Sequence, residues 1–259
     1  MILNNDVFGG NMSQHWYCAK TGEPRYTVIG KNGKERNTTL RDARNDGLVP
    51  SVSTINGLLS KAGLDTWKQT EVLYAAVEYP RLDGEDEKAW IDRLLYLSKQ
   101  KSRDAAERGN LIHGVIESHY NLDYLPEWPP YVYAVEEALN KHFGPQLWTA
   151  ERSFAHPLGF GGRVDLSCRS DAIKAFDGIV VDVKSKEGPL ESVVPYHENI
   201  MQLAAYREGL RTPAARCANI YVNGTTNEVR IIEHDEQDLR DSFECFQSLL
   251  RFYQIKNKL

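Results

Sequence analysis

The sequence predicts an α/β fold, a mixed central β-sheet flanked by helices, preceded by an N-terminal accessory lobe. Three observations point there. From Glu107 onward, segments of helical and strand character alternate as α, α, β, β, β, α, β, β, α. The run Ile179-Val180-Val181 is apolar on both faces, as in a strand buried at the centre of a sheet. The chain closes on a stretch in which Leu239, Phe243, Phe246, Leu250 and Tyr253 recur at helical spacing. The expected division is a lobe over residues 1–100 and the sheet-bearing core over 101–259.

The lobe opens with β character. Tyr26-Thr27-Val28-Ile29 and the polar run after Asn32-Gly33 form a predicted hairpin, because Asn-Gly supplies the positive φ angles of a tight turn. Ser53 or Thr54 is expected to cap a short helix carrying Ile55, Leu58 and Leu59. Asp65 is expected to cap another, through Trp67 and Ala76, stopped by Pro80. The acidic stretch Asp83 to Glu87 is a solvated loop or a first helical turn. A long helix then covers Lys88 to Tyr120, with a break near Gly109.

In the core, Pro126, Pro129 and Pro130 mark a loop before a helix over Val132 to His142. Strands are expected at Trp148 to Phe154, Arg163 to Cys168 and Ile179 to Val183. A helix follows over Glu198 to Leu210, then strands at Ala218 to Val222 and Val229 to Ile232. The last helix starts at Asp235.

Composition excludes several classes. At 41% hydrophobic and 26% charged residues, the chain is neither disordered nor fibrous. No apolar run is long enough to span a membrane, so no membrane partner is expected. The opening Met1-Ile2-Leu3-Asn4-Asn5-Asp6 has no basic segment followed by an apolar one, so an intracellular, cytoplasmic location is expected. Cys18, Cys168, Cys217 and Cys245 stand singly, without the paired spacing of zinc or iron–sulfur ligands. The net charge of −5 weighs against a nucleic-acid partner unless basic residues cluster locally.

The chemistry concentrates in two strands. In Val180-Val181-Asp182-Val183-Lys184, alternation puts Val180, Asp182 and Lys184 on one face. An acid and a lysine thus leave the end of a strand that otherwise wants burial, and buried charges need a partner or a metal. In the preceding strand, Arg163, Asp165 and Ser167 are expected on one face, with Val164 and Leu166 on the other. A hairpin of the two strands would bring Asp165 beside Asp182. Two adjacent carboxylates repel, so one pKa should rise unless a hard divalent cation such as magnesium or manganese separates them. Gly161 and Gly162 form a tight turn or let the backbone approach a phosphate. A structural Asp–Lys pair explains the second strand alone equally well.

An acid on one strand followed by D-x-K on the next resembles the core of the PD-(D/E)XK nuclease superfamily. Two outlying features narrow the resemblance to the RecB-like, phage-type exonucleases, similar to those of mitochondrial genome maintenance. One is His113 on the helix before the sheet. The other is Gln202-x-x-x-Tyr206 on the helix after D-x-K. The pattern runs from Glu107 to Ile232, and Pro50-Ser51-Val52-Ser53-Thr54-Ile55 also resembles a phage-type segment. Four motifs in order are more specific than D-x-K alone. The second acid is Asp where Glu is commoner, and the cluster-forming cysteines of some relatives are missing, so no iron–sulfur cluster is expected.

The resemblance implies a restriction-endonuclease-like core and a DNA nuclease, most simply an exonuclease on single- or double-stranded DNA, with recombination or replication proteins as further partners and phage origin. It implies Mg2+ or Mn2+ held by Asp165, Asp182, His113 and the Val183 carbonyl, with Lys184 as the catalytic lysine. Gln202, Tyr206, Arg108, Arg163, Ser185 and Lys186 would contact substrate. Glu151, at the first strand, matches a family acid or is an ordinary strand end. Glu117 shares a helix face with His113 as a partner or a solvated acid. Arg103 is expected to join the basic patch. Trp67, Trp90 and Tyr74 have the helical spacing of core residues. A structure-specific endonuclease and a non-catalytic nucleic-acid-binding module remain alternatives. A zinc peptidase lacks H-E-x-x-H, and a two-carboxylate glycosidase leaves Lys184 unexplained.

Overall fold

The computed structural model describes residues 15–168 and 178–259. The opening residues that bear on targeting lie outside the described residues. The elements run β1 (Trp16–Cys18), β2 (Thr27–Ile29), β3 (Glu35–Asn37), α1 (Leu40–Asp46), β4 (Leu48–Pro50), α2 (Val52–Asn56), α3 (Ala62–Glu78), α4 (Glu87–Ser98), α5 (Gln100–Tyr120) and α6 (Pro130–Phe143). They continue as β5 (Thr149–His156), β6 (Phe160–Cys168), β7 (Ile179–Ser185), α7 (His197–Gly209), β8 (Arg216–Val222), β9 (Val229–His234) and α8 (Glu236–Asn257). Among the described residues, no helix is long and apolar enough to cross a membrane.

Five strands form one mixed sheet in the order β5-β6-β7-β8-β9. All neighbours are antiparallel except β7 and β8, whose parallel pairing requires the crossover that α7 supplies. The alternation in β7 sorts the core into two layers. Ile179, Val181 and Val183 join Ile112 and Ile116 of α5 and Val132, Val135 and Leu139 of α6. Val180 joins Met201 and Leu203 of α7 and Leu239, Phe246 and Leu250 of α8. Burying a side chain of this kind contributes about 1.5–3 kcal/mol. The order of elements from α5 onward is the one the periodicity predicts.

Trp16, Leu48, Val52 and Ile55 belong to the same apolar layer as α7 and α8. The short strands β1 and β4, which pair with each other, and helix α1 have no counterpart in the sequence reading. Three-residue strands are too short to show an alternation. Helix α1 did carry a signal, the Thr39-x-x-Asp42 capping box, in which the Thr39 amide donates to the Asp42 carboxylate at 2.9 Å.

Several helix ends fall elsewhere than predicted. Ser51, not Ser53 or Thr54, caps α2, its hydroxyl accepting from the Thr54 amide at 3.0 Å. Asp65 lies inside the first turn of α3, where its charge favours the helix dipole, rather than at its cap. Asp86 caps α4. The predicted long helix breaks at Lys99, where the Ser98 hydroxyl donates to the Leu95 carbonyl, and not at Gly109. Gly109 stays helical because the contact it serves is tertiary. A Cβ there would lie 3.0 Å from the Ser185 hydroxyl, so glycine lets α5 close on the end of β7.

Candidate active site

The β6–β7 ladder pairs Leu166 with Val181 and then stops. One step further, the Asp165 carboxylate accepts a hydrogen bond from the Val183 amide at 2.7 Å, so a side chain takes the place of a backbone rung. The cause is visible on the other side of β6. The β5–β6 ladder skips the pair Glu151 and Asp165, and Glu151 has a left-handed φ of 53°. Alternation breaks at this point. Val164 packs in the layer of α7 and α8, whereas Leu166 packs in the layer of α5 and α6. This corrects the expectation that Val164 and Leu166 share a face. The irregularity frees Asp165 from the ladder and turns it toward β7 and α5.

Asp182 is 1% exposed and fully partnered. Its Oδ2 lies 2.8 Å from the Lys184 ammonium and accepts from the Asn219 amide at 2.9 Å. Lys184 also donates to Gln202 Oε1 at 3.2 Å, and Gln202 Nε2 donates to the Tyr206 hydroxyl at 2.8 Å. The four-residue spacing of Gln202 and Tyr206 on α7 places both on the face turned to the sheet. On the α5 side, His113 Nδ1 stands 3.5 Å from Asp165 Oδ2.

The electrostatics follow from this packing. Burial, and next the Asp182 charge, push the Asp165 carboxyl above its ordinary range. Burial opposes the Lys184 charge, but the two aspartates outweigh it and hold the ammonium above its usual pKa. Burial drives the Tyr206 hydroxyl well upward, so it remains a neutral donor and acceptor. Burial also raises Glu151 to about 7, against the pull of Arg163, with which it is ion-paired.

Around this centre the other predicted residues separate. Arg163 is committed to Glu151, and Glu117 adds its charge to that pair. Ser185 and Lys186 continue β7 past Lys184, with Ser185 against Gly109. Arg108 reaches the same end through an ion pair with Glu187 at 2.5 Å. Arg103 lies over the Tyr96 ring at 4.3 Å and donates to the Tyr96 carbonyl. Among the described residues, no three His, Cys, Asp or Glu side chains converge into a ready metal-ligand set.

Two residues of the centre escaped the sequence reading. Asn219 sits beside Asp182 in the parallel β7–β8 register, and its Oδ1 accepts from His234 Nε2 at 2.8 Å. The signal was an amide in the middle of the apolar strand Ala218 to Val222. A buried asparagine needs partners, and those partners lie on two other strands.

No family model matches the chain, and no curated protein matches it. Solved structures do. One is described as SSO0001, 14% identical over 72% of this chain and 86% of its own, with a TM-score of 0.32. Another, from Eubacterium rectale, is named "Putative exonuclease"; it is 13% identical over 77% of this chain and 87% of its own, with a TM-score of 0.38. Both superpose too loosely to bear on the chemistry of this chain.

Proposed function

We propose that this chain is a metal-dependent deoxyribonuclease of the PD-(D/E)XK kind, on a restriction-endonuclease-like core, and that it acts as an exonuclease. The observation that carries the reading is the meeting of Asp165 with Asp182 and Lys184 at one end of β6 and β7, where Asp182 and Lys184 stand 2.8 Å apart. The donors suit a hard divalent cation. Both are carboxylates, and burial, with the Asp182 charge next, disfavours the ionised Asp165, a cost that a bound cation would relieve. Asp165 and Asp182 would hold magnesium or manganese, with His113 and the Val183 carbonyl beside them. When bound, the ion would supply Lewis acidity toward the scissile phosphate and the attacking water.

The chain's own groups define the remaining work. Lys184 keeps its proton and presents a fixed positive charge to the phosphoryl oxygens, where charge grows in the transition state. It is therefore an electrostatic group and not a base. Gln202 orients the ammonium, and Tyr206 orients Gln202. Asn219 holds one oxygen of Asp182 from the far side. Ser185, Lys186 and Arg108 would meet the phosphates next to the scissile one. In this reading residues 101–259 are the nuclease core and residues 1–100 the accessory lobe.

The test is cleavage of end-labelled linear single- and double-stranded DNA and a covalently closed circle, with magnesium, manganese or a chelator. Linear DNA should be degraded with either metal while the circle survives. Asp182→Ala and Lys184→Ala should each lower the rate by about 10²–10³-fold, the scale of removing one group that stabilises transition-state charge. Cutting of the circle would make the enzyme an endonuclease. Failure to cut any form, or unchanged rates in both variants, would overturn the assignment.

A further inference from the structure

Three polar side chains meet across three neighbouring strands on one face of the sheet. Asp182 of β7 is paired with Asn219 of β8, and paired residues share a face. His234, the last residue of β9, pairs with Cys217, two residues before Asn219, so it lies on that face too and reaches Asn219 diagonally. Cys217 belongs to the apolar layer of α7 and α8, and Asn219 beside it is fully buried. The next residue, Asp235, caps α8, its carboxylate accepting from the Asp238 amide at 2.8 Å. The chain is therefore fixed on both sides of His234, by the ladder of β9 and by the helix cap.

We infer that His234 is a positioning residue of the carboxylate centre: acting through Asn219, it holds Asp182 with Oδ2 engaged and Oδ1 open to the divalent cation. The inference rests on the nuclease reading and extends its machinery to the last strand of the sheet. Paired with the Lys184 ammonium, the Asp182 carboxylate only accepts hydrogen bonds, so the Asn219 amide must turn its nitrogen toward it. Asn219 Nδ2 donates to Oδ2 at 2.9 Å. The carbonyl end of the amide then faces β9, and being buried it needs a donor. His234 Nε2 stands 2.8 Å from that oxygen. The ring must therefore carry its proton on Nε2. A reversed amide would set Asn219 Oδ1 against the carboxylate, which repels it.

The consequence falls on the two oxygens of Asp182. Oδ2 takes the Asn219 amide and lies 2.8 Å from the Lys184 ammonium, whereas Oδ1 has Lys184 alone, at 3.0 Å. An oxygen with one donor keeps a lone pair for a metal. A hydrogen bond on the other oxygen fixes the carboxylate, as the partners of ligating carboxylates do at metal sites. Burial holds the His234 imidazole below its ordinary range, against the pull of Asp238 and Asp235, so the neutral ring has one N–H and commits it to Asn219. Without that donor the Asn219 carbonyl would be buried unpaired and the amide free to turn.

Two measurements on the full chain test this. The first reads the tautomer, by long-range proton–nitrogen correlation spectra of the histidine side chains at about pH 8, above the ordinary histidine range. The His234 signals, assigned by their loss in His234→Gln, should show the Nε2–H form, and the Nδ1–H form would overturn the inference. The second is Mn2+ affinity without DNA, followed by electron paramagnetic resonance of the free ion. His234→Phe, which removes the donor, should weaken Mn2+ binding about 10–100-fold, the scale of losing such a partner. His234→Gln, which offers an N–H at similar reach, should recover most of it. In an Asn219→Ala background, His234→Phe should weaken binding no further, because its effect passes through the amide. Unchanged affinity in His234→Phe, no recovery in His234→Gln, or a loss that adds to that of Asn219→Ala would each overturn the inference. Cleavage separates the two readings. A chain that shows these Mn2+ effects but never cuts DNA keeps this inference and removes the nuclease. Metal-dependent cutting, with Mn2+ affinity unchanged in His234→Phe, does the reverse. An unsubstituted chain that binds no Mn2+ overturns both.

Discussion

In β7, Ile179, Val181 and Val183 are sealed beneath α5 and α6, and the one acid among them, Asp182, has a partner for each oxygen. In α3, Leu73, Tyr74 and Val77 stand in solvent, although the helix is more than twice as long. What holds α3 to its neighbours is narrow: buried Ala75 and Leu94 and the Trp90 indole donating to the Tyr79 carbonyl at 3.0 Å on the α4 side, and a Glu71–Lys101 pair at 2.9 Å to the start of α5. The contrast assigns different work to the two regions. The sheet concentrates the apolar burial and can therefore hold uncomfortable charges in fixed positions. The α3–α4 pair is drawn from the weakly held end of the molecule, where binding elements are commonly found.

The contrast can be broken by experiment, and the largest effect belongs to the sheet. Ile220→Ala, at a fully buried position of β8, should cost about 2–5 kcal/mol, read from chemical denaturation. A loss below about 1 kcal/mol would mean that the sheet is not where stability resides.

The next effect is one of pH. Glu151 is raised from 4.5 to about 7 in the folded chain, chiefly by burial. A carboxyl whose folded pKa is raised favours the fold when protonated. Its contribution to stability should therefore be greatest below pH 4.5, fall as the pH rises to 7 and level off above it. The buried Asp165 contributes in the same direction. For Glu151 alone the change is about 3 kcal/mol at most. Glu151→Gln should flatten this slope in denaturation curves recorded across that window, and a slope that survives in the variant would assign it to other groups.

The smallest effect belongs to the helix. Val77→Ala, at a position 84% exposed, should shift stability by no more than about 0.5 kcal/mol. A larger loss on thermal melting would show that α3 is covered in solution, and the contrast with β7 would disappear.

Much of this molecule was legible before any fold was known, where a local pattern and a tertiary role coincide. The buried strand of Ile179, Val180 and Val181, the face shared by Asp182 and Lys184, the Asn32-Gly33 hairpin and the amphipathic α8 all follow from spacing that neighbouring elements do not alter. The adjacency of Asp165 and Asp182 followed from one assumption, that β6 and β7 pair. Tertiary structure alone decided the rest. Gly109 looks like a helix breaker and is instead a point of close approach to Ser185. Trp67 has the spacing of a core residue and lines a cavity. Asn219 and His234 reach Asp182 only through the register of β8 and β9, and a left-handed Glu151 decides which way Asp165 turns. Periodicity records which side of its own element a residue occupies. It carries no information about what the opposite element presents, and the geometry of the carboxylate centre is set across elements.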